Sequence, residues 1–117
     1  MPEAEGMTLG GNISLVGFEI LDNAELVIVK KIVGTYIKKM SEIADYKEMR
    51  LSLKQHPHGK SFNHEISGFA LFSEGRFSTN VTERNLFTAV SAACEKIFNE
   101  ISHVRKKEQR HDKKTFK

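Results

Sequence analysis

The chain has 117 residues, 39% of them hydrophobic and 28% charged, with a formal net charge of +3. That length suits one domain with a modest core, and no run approaches the ~20 apolar residues of a membrane span. A single cysteine, Cys94, excludes an internal disulfide and fits a reducing compartment, so the cytoplasm is the expected location.

The charge is unevenly placed. From Lys96 onward eight Lys/Arg stand against Glu100, Glu108 and Asp112, a net of +5, whereas residues 1–95 carry ten basic and twelve acidic groups, a net of −2. A basic end of this kind points to a polyanionic partner. Nucleic acid fits better than a membrane surface, because the end lacks the interleaved Trp, Leu or Phe of an interfacial helix.

Residues 1–11 are polar and acidic at Glu3 and Glu5, which is unlike a signal peptide, and read as a flexible leader. Asn12 to Glu19 alternates loosely through Ile13, Leu15, Val16 and Phe18 and predicts a strand. Asp22 or Asn23 then caps a helix whose apolar residues Leu26, Val29, Val33, Tyr36, Ile37 and Met40 recur every three or four positions. Tyr46 to Gln55 places Met49, Leu51 and Leu53 on one face and Glu48, Arg50, Ser52 and Lys54 on the other, the pattern of an antiparallel strand wet on one side. His56-Pro57-His58-Gly59-Lys60 reads as a turn, Phe62 to Phe72 as a strand, Ser73-Glu74-Gly75 as a tight turn and Arg76 to Val81 as a short strand.

Thr82 opens the last helix, with Asn85 as a second candidate cap. Leu86, Val90, Cys94, Ile97, Ile101 and Val104 form its apolar arc, the strongest periodic signal in the chain. Beyond Lys107 that spacing stops, so residues 108–117 read as a disordered basic tail and residues 12–107 as the single domain. The expected fold is α+β in the order β-α-β-β-β-α: a four-stranded sheet with two helices packed side by side on one face.

Two rows of cations carry the functional argument. Lys30, Lys31, Lys38 and Lys39 lie off the apolar arc of the first helix, and Lys96, His103, Lys107 and Arg110 lie off that of the last. Helices lying side by side would join these rows into one positive surface, able to hold a phosphate backbone by counterion release. Lys60 in the hairpin turn is a candidate for a further phosphate contact, beside the plainer reading of an exposed turn. Lysines also decorate the solvent face of any surface helix, so it is their presence on both helices that favours binding.

His56, His58 and His64 lack a cysteine or carboxylate at zinc-ligand spacing, so no metal and no other cofactor is expected. Cys94 falls on the apolar arc and reads as core. Phosphate-cradling and dinucleotide-binding glycine motifs are missing, and no carboxylate falls in an apolar run, so the chain is not expected to be an enzyme.

The later elements resemble the ribosome hibernation-promoting factor family, also called ribosome-associated inhibitors, which shares the β-α-β-β-β-α order. Ser73-Glu74-Gly75 stands at that family's N-G-G turn, and Asn85-x-Phe87-x-Ala89-Val90-Ser91 at its D-x-Y-x-A-I-D helix opening. Lys96-Ile97 stands at its K-L pair, and His103, Arg105 and Lys107 at its basic end. The stretch Phe72 to Lys107 aligns without a gap, and Asp22-Asn23-Ala24 is similar to the T-E-A that opens the family's first helix. The resemblance implies a short-form factor, monomeric when free. Its partner would be the small ribosomal subunit and its rRNA, held in the channel otherwise used by mRNA and tRNA, with Arg105 among the rRNA contacts. Two alternatives stand beside it: a double-stranded RNA-binding module, and a small oligomeric enzyme with its site between subunits.

Overall fold

The computed structural model describes residues 7–9 and 12–115, with side chains over 12–107. Five strands and two long helices follow in the order β1 (Met7–Leu9), β2 (Ile13–Val16), α1 (Asn23–Ile43), β3 (Tyr46–His58), β4 (Ser61–Phe72), β5 (Gly75–Glu83) and α2 (Leu86–Thr115). They form one α+β unit whose sheet has the order β1-β2-β3-β4-β5. The pair β2–β3 is parallel and every other pair antiparallel, so the sheet is mixed. A parallel pair needs a long crossover, and α1 supplies it.

The four expected strands and two helices are present, and the boundaries differ for physical reasons. β1 lies inside the stretch 1–11 read as a leader; its three residues pair with the otherwise free edge of β2. β2 stops at Val16 rather than Glu19. Gly17 has φ +81, where a Cβ would stand 2.5 Å from the Leu53 carbonyl oxygen, and this bend turns the chain into one turn of 3-10 helix, Phe18–Ile20, that buries Phe18.

β3 continues through His56 and Pro57 to His58, leaving only Gly59 and Lys60 as the hairpin turn. Pro57 is tolerated there because β2 pairs with β3 only over Met49–Ser52, so its missing N–H lies on a strand with one unpaired edge. Thr82 belongs to β5, not to the last helix, which begins at Leu86. That helix runs to Thr115 where a disordered tail is expected from 108 onward; the segment has no Gly or Pro and is rich in Lys, Glu, Gln and Arg, all strong helix formers.

Both helices have side-chain caps. Asp22 Oδ1 accepts from the Glu25 N–H at 2.8 Å while Glu25 Oε1 accepts from the Asp22 N–H at 3.1 Å, a reciprocal capping box. Asn85 Oδ1 accepts from the Thr88 N–H at 2.9 Å. The core lies between one sheet face and the helices. Ile13, Leu15, Met49, Leu51, Leu53 and Ile66 on the sheet meet Val29, Val33 and Met40 of α1 and Val90, Ile97 and Ile101 of α2, all buried. Cys94 is part of this core as expected, and burial pushes its thiol up to about 12.

β2 and β5 both run toward the β3–β4 turn. α1 and α2 therefore both start at that end and run back parallel to each other. Nothing packs on the opposite face of the sheet among the described residues.

Candidate nucleic-acid interface

The seam between the helices is fixed by specific contacts. The Tyr36 hydroxyl donates to Glu95 Oε1 at 2.7 Å, and its ring meets Phe98 edge-on with centroids 6.5 Å apart. The bond to Glu95, with burial and the negative charge behind it, pushes the Tyr36 hydroxyl up to about 12, so it stays protonated. At the far end Arg105 Nε donates to the Ile43 carbonyl oxygen at 3.0 Å. Glu95, Phe98, Ser102 and Arg105 are thus the stripe of α2 that faces α1.

The cations can be placed against this seam. On α1, Lys31 and Lys38 are exposed directly opposite the buried Val29, Val33 and Met40, and Lys30 is exposed on the flank turned from α2. Lys39 is exposed on the seam side, its ammonium 5.1 Å from the centre of the Tyr36 ring. On α2, Lys96, His103 and Lys107 are exposed, and they lie on average about 140° around the helix from the seam stripe. His103 accordingly lines a groove of 490 Å³ with Phe77, Asn99, Glu100 and Val104, over the β5 edge and away from α1.

This corrects the expectation of one continuous positive surface. The α1 row points away from the sheet while the α2 row is turned toward the β5 edge, and the seam between them carries Glu42 and Glu95.

Two more expected contacts find their places. Arg105 is half-buried: besides Ile43 it reaches Glu74 Oε2, 3.4 Å from Nη1, and so ties α1, α2 and the β4–β5 turn together. That makes it a structural cation, which revises its expected place among the RNA contacts. Lys60 is exposed in the hairpin turn, at the end where the helices start. The side chain of Arg110 lies outside the described residues.

Two groups of residues escaped the sequence argument. Lys106 is exposed on the rim of a 360 Å³ groove lined also by Glu42, Ile43, Ser102 and Arg105; the unbroken run Arg105-Lys106-Lys107 was its signal. The second group lies on the uncovered sheet face. There Arg50 stands beside Phe69 across β3 and β4, and the Arg76 guanidinium lies 4.0 Å from the centre of the Phe69 ring.

The hairpin histidines do not converge. His56 Nε2 is 2.8 Å from Glu65 Oε1 on the uncovered face, while His64 Nδ1 is 2.8 Å from the Arg84 carbonyl oxygen. His64 pairs with Gln55, one position from His56, so strand alternation turns the two rings to opposite faces. The hydrogen bond from His56, then that from Asn80 at 3.0 Å, holds the Glu65 carboxyl below its usual range. Among the described residues no group of three or more His, Cys, Asp or Glu is placed to hold a metal ion, and no helix is long and apolar enough to cross a membrane.

What these surfaces offer chemically is fixed positive charge on long side chains, suited to phosphate oxygens. No protein-family model matches the chain, and no curated protein matches it.

Proposed function

We propose that this protein binds the rRNA of the small ribosomal subunit and silences translation by occupying the channel otherwise used by mRNA and tRNA. One observation carries the reading. Lys30, Lys31, Lys38, Lys96, Lys106 and Lys107 are all exposed, and among the described residues none has a carboxylate oxygen within 4.0 Å. Uncompensated lysines on both helices are charges available to a polyanion.

The divergence of the two rows agrees with this function. A protein lying on a single RNA helix would use one stripe, whereas a plug inside an RNA-lined channel meets phosphates on more than one side. The α1 row would contact one wall and the outer flank of α2 another, with the sheet holding them at constant separation. Silencing is then steric, and no chemical step is required. The β-α-β-β-β-α order and the Phe72–Lys107 pattern, similar to the hibernation-promoting factors, support the same reading.

Co-sedimentation with ribosomes tests it. The wild type should pellet with small subunits, and a variant carrying K31E, K38E, K96E and K107E should keep its fold and remain in the supernatant. Equal pelleting of the two rejects the proposed surfaces. Failure of the wild type to pellet rejects the function.

A further inference from the structure

From the uncovered sheet face we infer a second RNA surface, one that takes a short single strand by stacking a base on the Phe69–Arg76 pair. It rests on the RNA-binding reading above and extends it to the side of the molecule opposite the helices.

The register defines the face. Residues paired across the strands share a side, so Ser14, Arg50, Phe69 and Ser78 form one row, and Val16, Ser52, Ser67 and Asn80 the next. Glu48, Leu71 and Arg76 form the row on the other side of Phe69. Apart from Val16, Phe69 and Leu71 these are small hydroxyls, an amide, one glutamate and two arginines. Such a face is too polar to be buried against another protein core, and flat enough for bases to approach.

Among the described residues Phe69 is the phenyl ring of this face, and it is half-buried. The 4.0 Å separation means that the Arg76 guanidinium lies over the ring. A stacked guanidinium keeps its outer plane open, and a nucleobase stacks on such a plane as it does on an aromatic ring. Phe69 therefore orients Arg76, and the pair presents a ready-made base platform.

Phosphate contacts lie close by. Arg50 and Lys54 are exposed on β3 on the same face; among the described residues neither has a carboxylate oxygen within 4.0 Å, and Arg50 is the better placed, since the Lys54 charge already acts on Glu65 across the strands. Among the described residues the acids of this face are Glu48 and Glu65, and Glu65 is already engaged by His56 and Asn80. From β5 to β3 is two strand spacings, about 10 Å, enough for two or three successive nucleotides. Duplex RNA hides the faces of its bases and cannot use the platform, so the ligand is single-stranded.

Anisotropy of a labelled RNA of about ten nucleotides, with a duplex of the same sequence alongside, tests this. F69A and R76A should each weaken single-strand binding about tenfold, the usual effect of losing one stacking contact. S41A, at an exposed position of α1 given no part in binding, should leave single-strand binding unchanged. Phe69 lies outside the core, so F69A should fold; if its melting shows otherwise, R76A and R50A, both at exposed positions, decide the matter. Single-strand binding that survives R76A and R50A overturns the inference. So does a wild type that binds ribosomes but no single strand, a result that leaves the proposed function standing. Loss of both activities refutes the two together. A wild-type dimer dispersed by R76A would show that a second copy occupies the face instead, and also overturns it.

Discussion

Arg105 and Ile43 are 62 residues apart in sequence, yet the guanidinium Nε of one donates to the carbonyl oxygen of the other at 3.0 Å. The last carbonyls of a helix have no intrahelical donor, and α2 supplies one to α1. The same guanidinium serves Glu74, whose side chain is only 12% exposed. Replacing Arg105 by Ala leaves a helix-end carbonyl and a largely buried carboxylate short of their donor. A loss of about 2 kcal/mol is expected, measured as a lower urea midpoint with an unchanged slope. Adding Glu74→Gln should return part of it, because a neutral amide has less need of a cation.

Two glycines and a third should respond to alanine in opposite directions. At Gly68, φ +156, a Cβ would stand 1.9 Å from the Arg50 carbonyl oxygen, and at Gly17 one would stand 2.5 Å from that of Leu53. Both obstacles are backbone in the middle of the sheet. G68A should cost about 3 kcal/mol or more, and G17A about 2 kcal/mol. Gly34 sits on the exposed side of α1 with nothing within 4 Å of its added Cβ, so G34A should stabilise by about 0.5–1 kcal/mol. Thermal melting orders the three variants, and a destabilised G34A would contradict the packing described for α1.

Stability should fall on the acid side. Asp45 is held below its usual range by the hydrogen bond from the Ser73 hydroxyl and then by Lys47, and Glu65 by His56 and Asn80. A carboxyl depressed in the folded state binds its proton more readily when unfolded. Its contribution is therefore complete above the ordinary carboxylate pKa and is lost as pH drops through the lower folded value. Asp45 is exposed and Glu65 partly so, and the effect is modest. Melting temperatures at neutral and strongly acidic pH should differ less in the D45N/E65Q variant than in the wild type. An equal difference would show that these bonds do not persist in solution.

Salt separates the two helix rows. If about six phosphates are neutralised, the log–log dependence of ribosome affinity on salt should have a slope on the order of −4 to −5. K31E/K38E and K96E/K107E should each make it shallower by about 1.5, at 0.7–0.9 per phosphate lost. The reductions should add, because the rows meet different RNA segments. A pair that weakens binding without changing the slope acts by some means other than phosphate contact.

Much of this architecture is legible in the sequence. The spacing of Val29, Val33, Tyr36 and Met40, the Asp22 cap, and the alternation of Met49, Leu51 and Leu53 specify α1 and β3 through local rules, and the structure follows them. β1 escapes because three residues are too few to show alternation. β2 is overextended because Phe18 keeps the apolar pattern running past Gly17, where the backbone in fact turns.

The α2 cations are the instructive failure. Periodicity places Lys96, His103 and Lys107 at a definite angle from the apolar arc, but the two flanks of that arc are equivalent until a neighbour occupies one of them. Only Tyr36–Phe98 and Ile43–Arg105 reveal which flank meets α1. Arg105 misleads for a related reason, since its partners are 31 and 62 residues away. The open sheet face was visible as a wet side of β3; that Arg76 would settle on Phe69 was not, because it depends on cross-strand register.

The parallel pairing of β2 with β3 has a consequence for the order of folding during synthesis. β2 and α1 leave the ribosome first, yet Ile13–Val16 have their strand partner in Met49–Ser52, beyond the whole of α1. The meander β3–β5, by contrast, finds its partners among near neighbours in the chain, where closure costs less entropy. The N-terminal third must therefore wait, helical at best, for the later part to assemble a template. Amides of β2 should be the last of the sheet to gain protection in a pulsed exchange experiment.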